Sequence, residues 1–395
     1  VGFGVSAVPL ARRNIFANKF RLIRSASGIA FSAFLMLVQL GFQTTFTEST
    51  LELIRRFDAD LVVTSAVKYQ LSRKSPFTRR ALYQARAVPG VETARPVYGE
   101  WTRSTWQNSA DGKRYFIQAL AFDPDEPVFL IPEVTAKLAE LRLPDTVMMD
   151  TRSRRFLGAA RIGLETELAR KQVKIIGNFS MGPDFFTDGT VITSDRNFAK
   201  LFPTKGPSSE PRTNDLTERP DVEFVFVKVK PGEDVATMQQ RLTAALPSDL
   251  VVLTRQQLMD KEAIFQSKFS AAGPIFGLGV LIGFAVGMII AYQILHNDIF
   301  DQLPQYATLK AMGYGNGYLV TVVLQQAIFY GLVGYIPAVL MCIGVFEILE
   351  EIVLLKAGLS AGTIALGAAL TIGMCMLSGL IAVRRVIQAD AAEVF

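Results

Sequence analysis

The sequence predicts a membrane protein with four transmembrane α-helices and a large α+β extracytoplasmic domain inserted between the first and second helices. Three observations predict it. Four apolar runs, residues 25–46, 271–295, 318–346 and 357–383, contain no Asp, Glu, Lys or Arg. Each reaches or exceeds the ~20 residues that a helix needs to cross a hydrocarbon core. Residues 47–270, between the first two runs, have an ordinary soluble composition and hold most of the charge. The overall 50% hydrophobic and 19% charged content therefore averages two populations.

Taken in order, residues 1–24 are expected to form a cytoplasmic amphipathic helix. Phe16, Phe20 and Ile23 fall on one face, and Asn14, Asn18 and Arg21 on another. Residues 25–46 follow as transmembrane helix 1, too long an apolar run for a cleavable leader. Arg12, Arg13, Lys19, Arg21 and Arg24 precede that span, and Arg384 and Arg385 follow the last. The positive-inside rule puts both termini in the cytoplasm. Residues 47–270 are then outside. Transmembrane helices 2, 3 and 4 are 271–295, 318–346 and 357–383. Residues 296–317 and the tail 384–395 lie inside, and the short loop 347–356 outside. That loop carries Glu347, Glu350 and Glu351 at helical spacing, which reads as a solvated acidic cap.

Within the outer domain, residues 48–57 extend the first helix and 61–67 form a strand. Residues 77–87 form a helix stopped by Pro89 and Gly90. Segments 100–106 and 115–122 form a hairpin across 108–112. Further strands are expected at 171–176 and 190–193. Residues 205–220, rich in Pro, Ser, Thr and charge, read as a boundary between two subdomains or as a flexible loop. A β-α-β pattern follows, with strand 222–229, helix 234–246 and strand 251–253. Residues 255–268 are expected to be helical and to run into the second span.

Catalytic motifs are absent from the sequence. It lacks a G-x-x-x-x-G-K-[ST] loop, and His296 is its single histidine. That leaves no multi-histidine metal site and no histidine-based triad. The two cysteines, Cys342 and Cys375, lie inside spans. No catalytic, metal or cofactor residue is assigned to this chain. The net charge of +5 is met at membrane borders by anionic lipid and calls for no nucleic acid.

Two local signals remain. The inner loop contains Pro304, Gln305, Tyr306, Ala307, Thr308, Leu309, Lys310, Ala311, Met312, Gly313 and Tyr314. Pro304 suits a first helical position, and Gly313 a left-handed cap. The pattern predicts about two turns of helix across the inner membrane surface. Such a stiff element, joined to two spans, can pass a push from a cytoplasmic partner to both. In the second span, Gly279, Gly283 and Gly287 recur every four residues and mark a face for close helix approach.

The four-span plan with one large outer loop, and the segment 305–314, resemble the MacB/FtsX-like permeases of ABC transporters. The segment is similar above all to the DevC branch, known from cyanobacteria. The stretches 57–63 (FDADLVV), 122–125 (FDPD) and 388–395 are also similar to that branch. One departure is Gln305, where family members usually carry Glu. It removes a salt bridge at that position and leaves a hydrogen bond. The resemblance implies a bacterial inner-membrane homodimer with two copies of a separate ABC ATPase, which holds ATP and Mg. It also implies a periplasmic membrane-fusion adaptor and a TolC-like outer-membrane channel. The three glycines would then pack between protomers. The function implied is export of lipid-like or small-molecule cargo by mechanotransmission. The alternative is a transmembrane regulator of a periplasmic hydrolase without transport.

Overall fold

The computed structural model describes residues 19–101, 104–203, 221–354 and 358–388. It divides into two units, one of residues 45–270 with 349–356 and one of the remaining chain. The first helix, α1 (Lys19–Arg55), contains the first apolar run and continues beyond it, as expected for 48–55. Glu52 and Arg56, one turn apart, pair at 3.0 Å at its end. Residues 1–18 of the expected amphipathic helix lie outside the described residues, and Lys19 already belongs to α1.

The outer domain then runs β1 (Leu61–Ser65), β2 (Phe77–Thr78), α2 (Arg80–Arg86), β3 (Val91–Glu100), β4 (Thr105–Gln107), β5 (Arg114–Phe116) and β6 (Gln118–Phe122). It continues through α3 (Pro132–Thr135), α4 (Leu138–Leu141), β7 (Thr146–Asp150), β8 (Glu165–Leu168), β9 (Lys171–Phe179), β10 (Thr190–Ser194) and α5 (Asp195–Leu201). The last elements are β11 (Asp221–Val222), β12 (Phe224–Val229), α6 (Val235–Ala245), β13 (Leu250–Thr254) and α7 (Arg255–Ile264). Eleven strands form one sheet in the order β13-β1-β12-β3-β6-β10-β7-β9-β8-β4-β5, and β2 pairs with β11 apart from it. The two expected subdomains thus share a single sheet. The segment 205–220, proposed as their boundary, lies outside the described residues.

Alternation along the strands divides the core between the two faces of this sheet. Leu61 and Val63 of β1, with Val225 and Val227 of β12, join one cluster under α2, α5 and α6. Val62, Phe224 and Phe226 join the other, with Leu51 and Ile54 of α1 and Leu258 of α7. Both helices that connect to spans therefore pack on the same face. Because helices cover both faces, the central strands read as unbroken apolar runs.

The β-α-β pattern has an added feature. β12 and β13 are each antiparallel to β1, so they are parallel to one another with β1 inserted between them. Asp234 caps α6 by accepting from the Thr237 N–H at 2.8 Å. The hairpin forms as β4 and β5, turned at Gly112 with φ +70°. Its boundaries differ from the expectation: Glu100 ends β3, and β5 and β6 are separate strands. The helix expected at 77–87 begins as β2 and becomes helical only at Arg80.

The helix expected over 255–268 also differs. It changes to a π-helical turn at Phe265–Phe269 and breaks at Ser270, whose backbone is extended. It does not run into the second span.

The membrane unit continues with α8 (Ala272–Asp301), α9 (Leu303–Ala311), α10 (Asn316–Val353) and α11 (Ala361–Gln388). Among the described residues, four helices are long and apolar enough to cross a membrane: Ile23–Arg55, Ala272–Asp301, Asn316–Ile352 and Ala361–Arg384. Small polar groups bind them to one another. Ser378 Oγ donates to the Met288 carbonyl at 2.7 Å, and the Thr44 and Thr363 hydroxyls meet at 3.0 Å.

The second-span glycines pack against helices of their own chain. A Cβ on Gly279 would lie 2.6 Å from Gln39 Cδ, and one on Gly283 2.9 Å from Met36 Cγ. On Gly287 it would lie 2.3 Å from Met374 Sδ. Their lack of side chains lets α8 approach α1 and α11 closely. The acidic cap is also more than a solvated face: Glu350 accepts from Arg152 at 3.3 Å.

Candidate functional site

The inner end of the membrane unit is built around Gln302, which ends α8 and begins α9. Its N–H donates to the Ile299 carbonyl at 3.1 Å. Its own carbonyl accepts from the N–H groups of Gln305 and Tyr306 at 3.0 and 3.1 Å. Pro304 sits in the first turn of α9, where its missing N–H leaves no bond unmade. Gly313 closes the helix with φ +90°, its N–H bonded to the Lys310 carbonyl at 3.0 Å. The start and stop read from sequence thus coincide with a real helix.

That helix has two different sides. Tyr306 is turned inward and is only 4% exposed. Pro304, Gln305, Thr308, Met312 and Gly313 are exposed, and Lys310 and Tyr314 are half-buried. The Tyr314 ring packs on Tyr318 at 4.8 Å. The side chains of Ala307, Leu309 and Ala311 lie outside the described set.

Tyr306 enters a buried polar cluster that the sequence reading missed. Its hydroxyl donates to Gln302 Oε1 at 3.3 Å, and Gln326 Nε2 of α10 reaches the same oxygen at 3.4 Å. One turn further along each helix, the Tyr330 hydroxyl donates to Asp298. Burial pushes the Tyr306 phenol up to about 12, so it remains a donor throughout the physiological range. The cluster joins α8, α9 and α10 through fixed hydrogen bonds. A signal was present in the sequence: Asp298, Gln302 and Tyr306 recur every four residues, facing Gln326 and Tyr330 at the same interval.

A second site lies in the outer domain, where the end of α1 enters the sheet. Phe57 is buried, with its ring 4.5 Å from that of Phe226. Phe122 meets Phe129 edge-on at 5.6 Å. The stretches 57–63 and 122–125 therefore share one core. Asp58 pairs with Lys228 at 2.7 Å and with Arg95 at 3.4 Å. Burial opposes the Asp58 carboxylate, but the hydrogen bond and charge of Lys228, aided by Arg95, hold its pKa below the usual value. Asp60 accepts from the Val229 N–H at 2.9 Å. The stretch 389–395 lies outside the described residues.

Nearby, α7 is tied to the same face. Glu262 accepts from the Leu71 N–H at 2.8 Å and from Gln266 at 2.7 Å. Lys68 and Glu223 form a buried ion pair, with the Lys68 ammonium 4.6 Å from the centre of the Phe224 ring. Burial pushes the Lys68 pKa down, and the Glu223 charge opposes that shift. Among the described residues, no group of three or more His, Cys, Asp and Glu could hold a metal ion.

Comparison with known proteins decides the family. Residues 24–245, more than half of the chain, match the MacB-like periplasmic core domain, and residues 260–391 match the FtsX-like permease C-terminal domain. The chain belongs to the MacB/FtsX-like permeases of ABC transporters. An ABC transporter permease of Methanocaldococcus jannaschii is 24% identical over 198 residues, 49% of this chain and 45% of that relative. The permease thus aligns with less than half of that relative's length. The solved periplasmic region of MacB from Actinobacillus actinomycetemcomitans is 10% identical and has a TM-score of 0.35. It covers 52% of this chain and 94% of its own. The extracellular domain of the YknZ transporter from Gram-positive bacteria is 10% identical, with a TM-score of 0.31, covering 50% of this chain and 99% of its own. The permease is a multi-pass membrane protein whose inserted α+β domain is the periplasmic core domain of the family.

Proposed function

We propose that this permease is the membrane subunit of an ABC export system and receives ATP-driven motion through α9. The observation that supports this reading is the two-sided character of that helix. Its exposed face, with Gln305 and Thr308, is open to a partner, while Tyr306 is held between α8 and α10 by Gln302 and Gln326. A push on α9 therefore acts on two spans at once. In this reading a separate ATPase holds ATP and Mg and docks on the segment 304–314. Two permease copies form the working unit, and both termini are cytoplasmic.

On the other side of the membrane, the periplasmic domain works with a membrane-fusion adaptor and a TolC-like outer-membrane channel, as in the DevC branch. The cargo is lipid-like or a small molecule. Ile54 of α1 and Leu258 of α7 pack on the same face of the sheet. Purification of the tagged permease from its native membrane, with mass spectrometry of what remains bound, tests the reading. An ATPase with an adaptor and channel supports export. A periplasmic hydrolase in place of the adaptor would replace export by regulation.

A further inference from the structure

Phe46 is the last residue of the first apolar run. Its buried ring is covered by Phe185 at 5.0 Å and Phe186 at 5.5 Å. Those two residues come from the loop between β9 and β10, and their own outer surfaces are open: Phe185 is 36% exposed and Phe186 47%. The loop is shaped to present them. The Asp184 carboxylate accepts from the N–H groups of Phe186 and Thr187 at 2.6 and 2.5 Å, a local turn that carries the rings outward.

The neighbouring turn after β7 touches a second span end. Arg152 donates to Glu350 at 3.3 Å and to the Leu354 carbonyl at 3.1 Å. Arg155, exposed, donates to the Glu351 carbonyl at 3.2 Å. These acceptors lie just past the third apolar run, which ends at Phe346. Arg154 and Asp188 pair at 2.9 Å and join the turn to the loop. The loop and the turn therefore meet Phe46 on one side and residues 350–354 on the other, all within one unit.

The end of an apolar run marks the boundary between hydrocarbon and headgroups. Aromatic rings are favoured there, and arginine side chains reach the phosphates. We propose that the loop 180–188 and the turn 150–155 form an interfacial foot on the lipid leaflet beside the domain. Phe185 and Phe186 enter the hydrocarbon edge, and Arg155 faces lipid phosphate. The lipid surface fits this patch because its aromatic part covers the last residue of the first apolar run and Arg155 offers an exposed cation to phosphate. The foot fixes the depth of the domain against the membrane, independently of which partners the permease has.

The test uses the full chain in lipid nanodiscs of phosphatidylethanolamine and phosphatidylglycerol, with Cys342 and Cys375 replaced by Ala. A nitroxide is placed at Phe186→Cys and, as a water-facing reference, at Tyr83→Cys on α2. Collision with oxygen and with a water-soluble nickel chelate is then measured. The nitroxide at position 186 should collide several-fold more with oxygen relative to the chelate than the reference does. A ratio equal to that of the reference would overturn the proposal. So would protection from both reagents, which would mean a protein partner covers the patch. Phe185→Cys provides a second reading should Phe186→Cys fail to fold.

Discussion

The Tyr306 hydroxyl donates to Gln302 Oε1 at 3.3 Å, so the short helix α9 is bonded to the residue that joins it to α8. Gln326 of α10 shares that acceptor. Gln302→Leu should leave two buried polar groups without it and cost ~1–3 kcal/mol. Tyr306→Phe removes one hydroxyl and should cost only ~1 kcal/mol. Thermal unfolding in detergent should therefore rank Gln302→Leu well below Tyr306→Phe. Equal melting temperatures would mean that the shared oxygen does not hold the three helices together.

The approach of α8 to α1 rests on Gly283, where a Cβ would lie 2.9 Å from Met36 Cγ. Gly283→Leu overfills that contact and should destabilise the protein by ~1–3 kcal/mol. Adding Met36→Ala should recover part of the loss, because the two side chains compete for one space. No recovery would place the strain elsewhere.

Lys68 and Glu223 are both 3% exposed and form one ion pair. Lys68→Met leaves a buried carboxylate without that partner and should cost ~3–5 kcal/mol. The double variant Lys68→Met, Glu223→Leu should be markedly more stable than the single one. A double-mutant cycle with additive losses would contradict the coupling.

Burial, with the nearby Asp123 charge, pushes the Asp195 carboxyl up to about 6, against 3.8 for an ordinary Asp. The folded state then holds this proton more tightly than the unfolded one. The resulting stability is complete below the unfolded pKa and is lost as pH rises through the folded pKa. Wild type should lose stability between pH 4 and 7 relative to Asp195→Asn, measured as the difference in melting temperature across that window. A constant difference would exclude this titration as the cause.

The spans were legible because lipid permits long helices without charge and little else. α9 was legible because Pro304 and Gly313 punctuate it. β3 was not, since Pro96 and Arg95 argue against a central strand. The fold accommodates them by pairing Pro96 in register with Val225 and bringing Arg95 to Asp58. The inner polar cluster was missed for a related reason. Asp298 lies three residues past the second apolar run, and only the helix continuing to Asp301 reveals that it is buried. The spacing of Gly279, Gly283 and Gly287 revealed a packing face, but periodicity alone does not say which helix fills it. Ser270 is similar: nothing in the pattern of 255–268 announces the π-turn and extended residue that end the helix.

The central claim is that the exposed face of α9 receives the ATPase. A photoreactive benzoylphenylalanine introduced at Thr308, in the intact complex in its own membrane, tests it most directly. The account predicts a covalent adduct with the ATPase subunit whose yield changes between the nucleotide-free and ATP-bound states. An intact complex that gives no adduct at Thr308 in either state, while a probe elsewhere on the inner surface does, would contradict it.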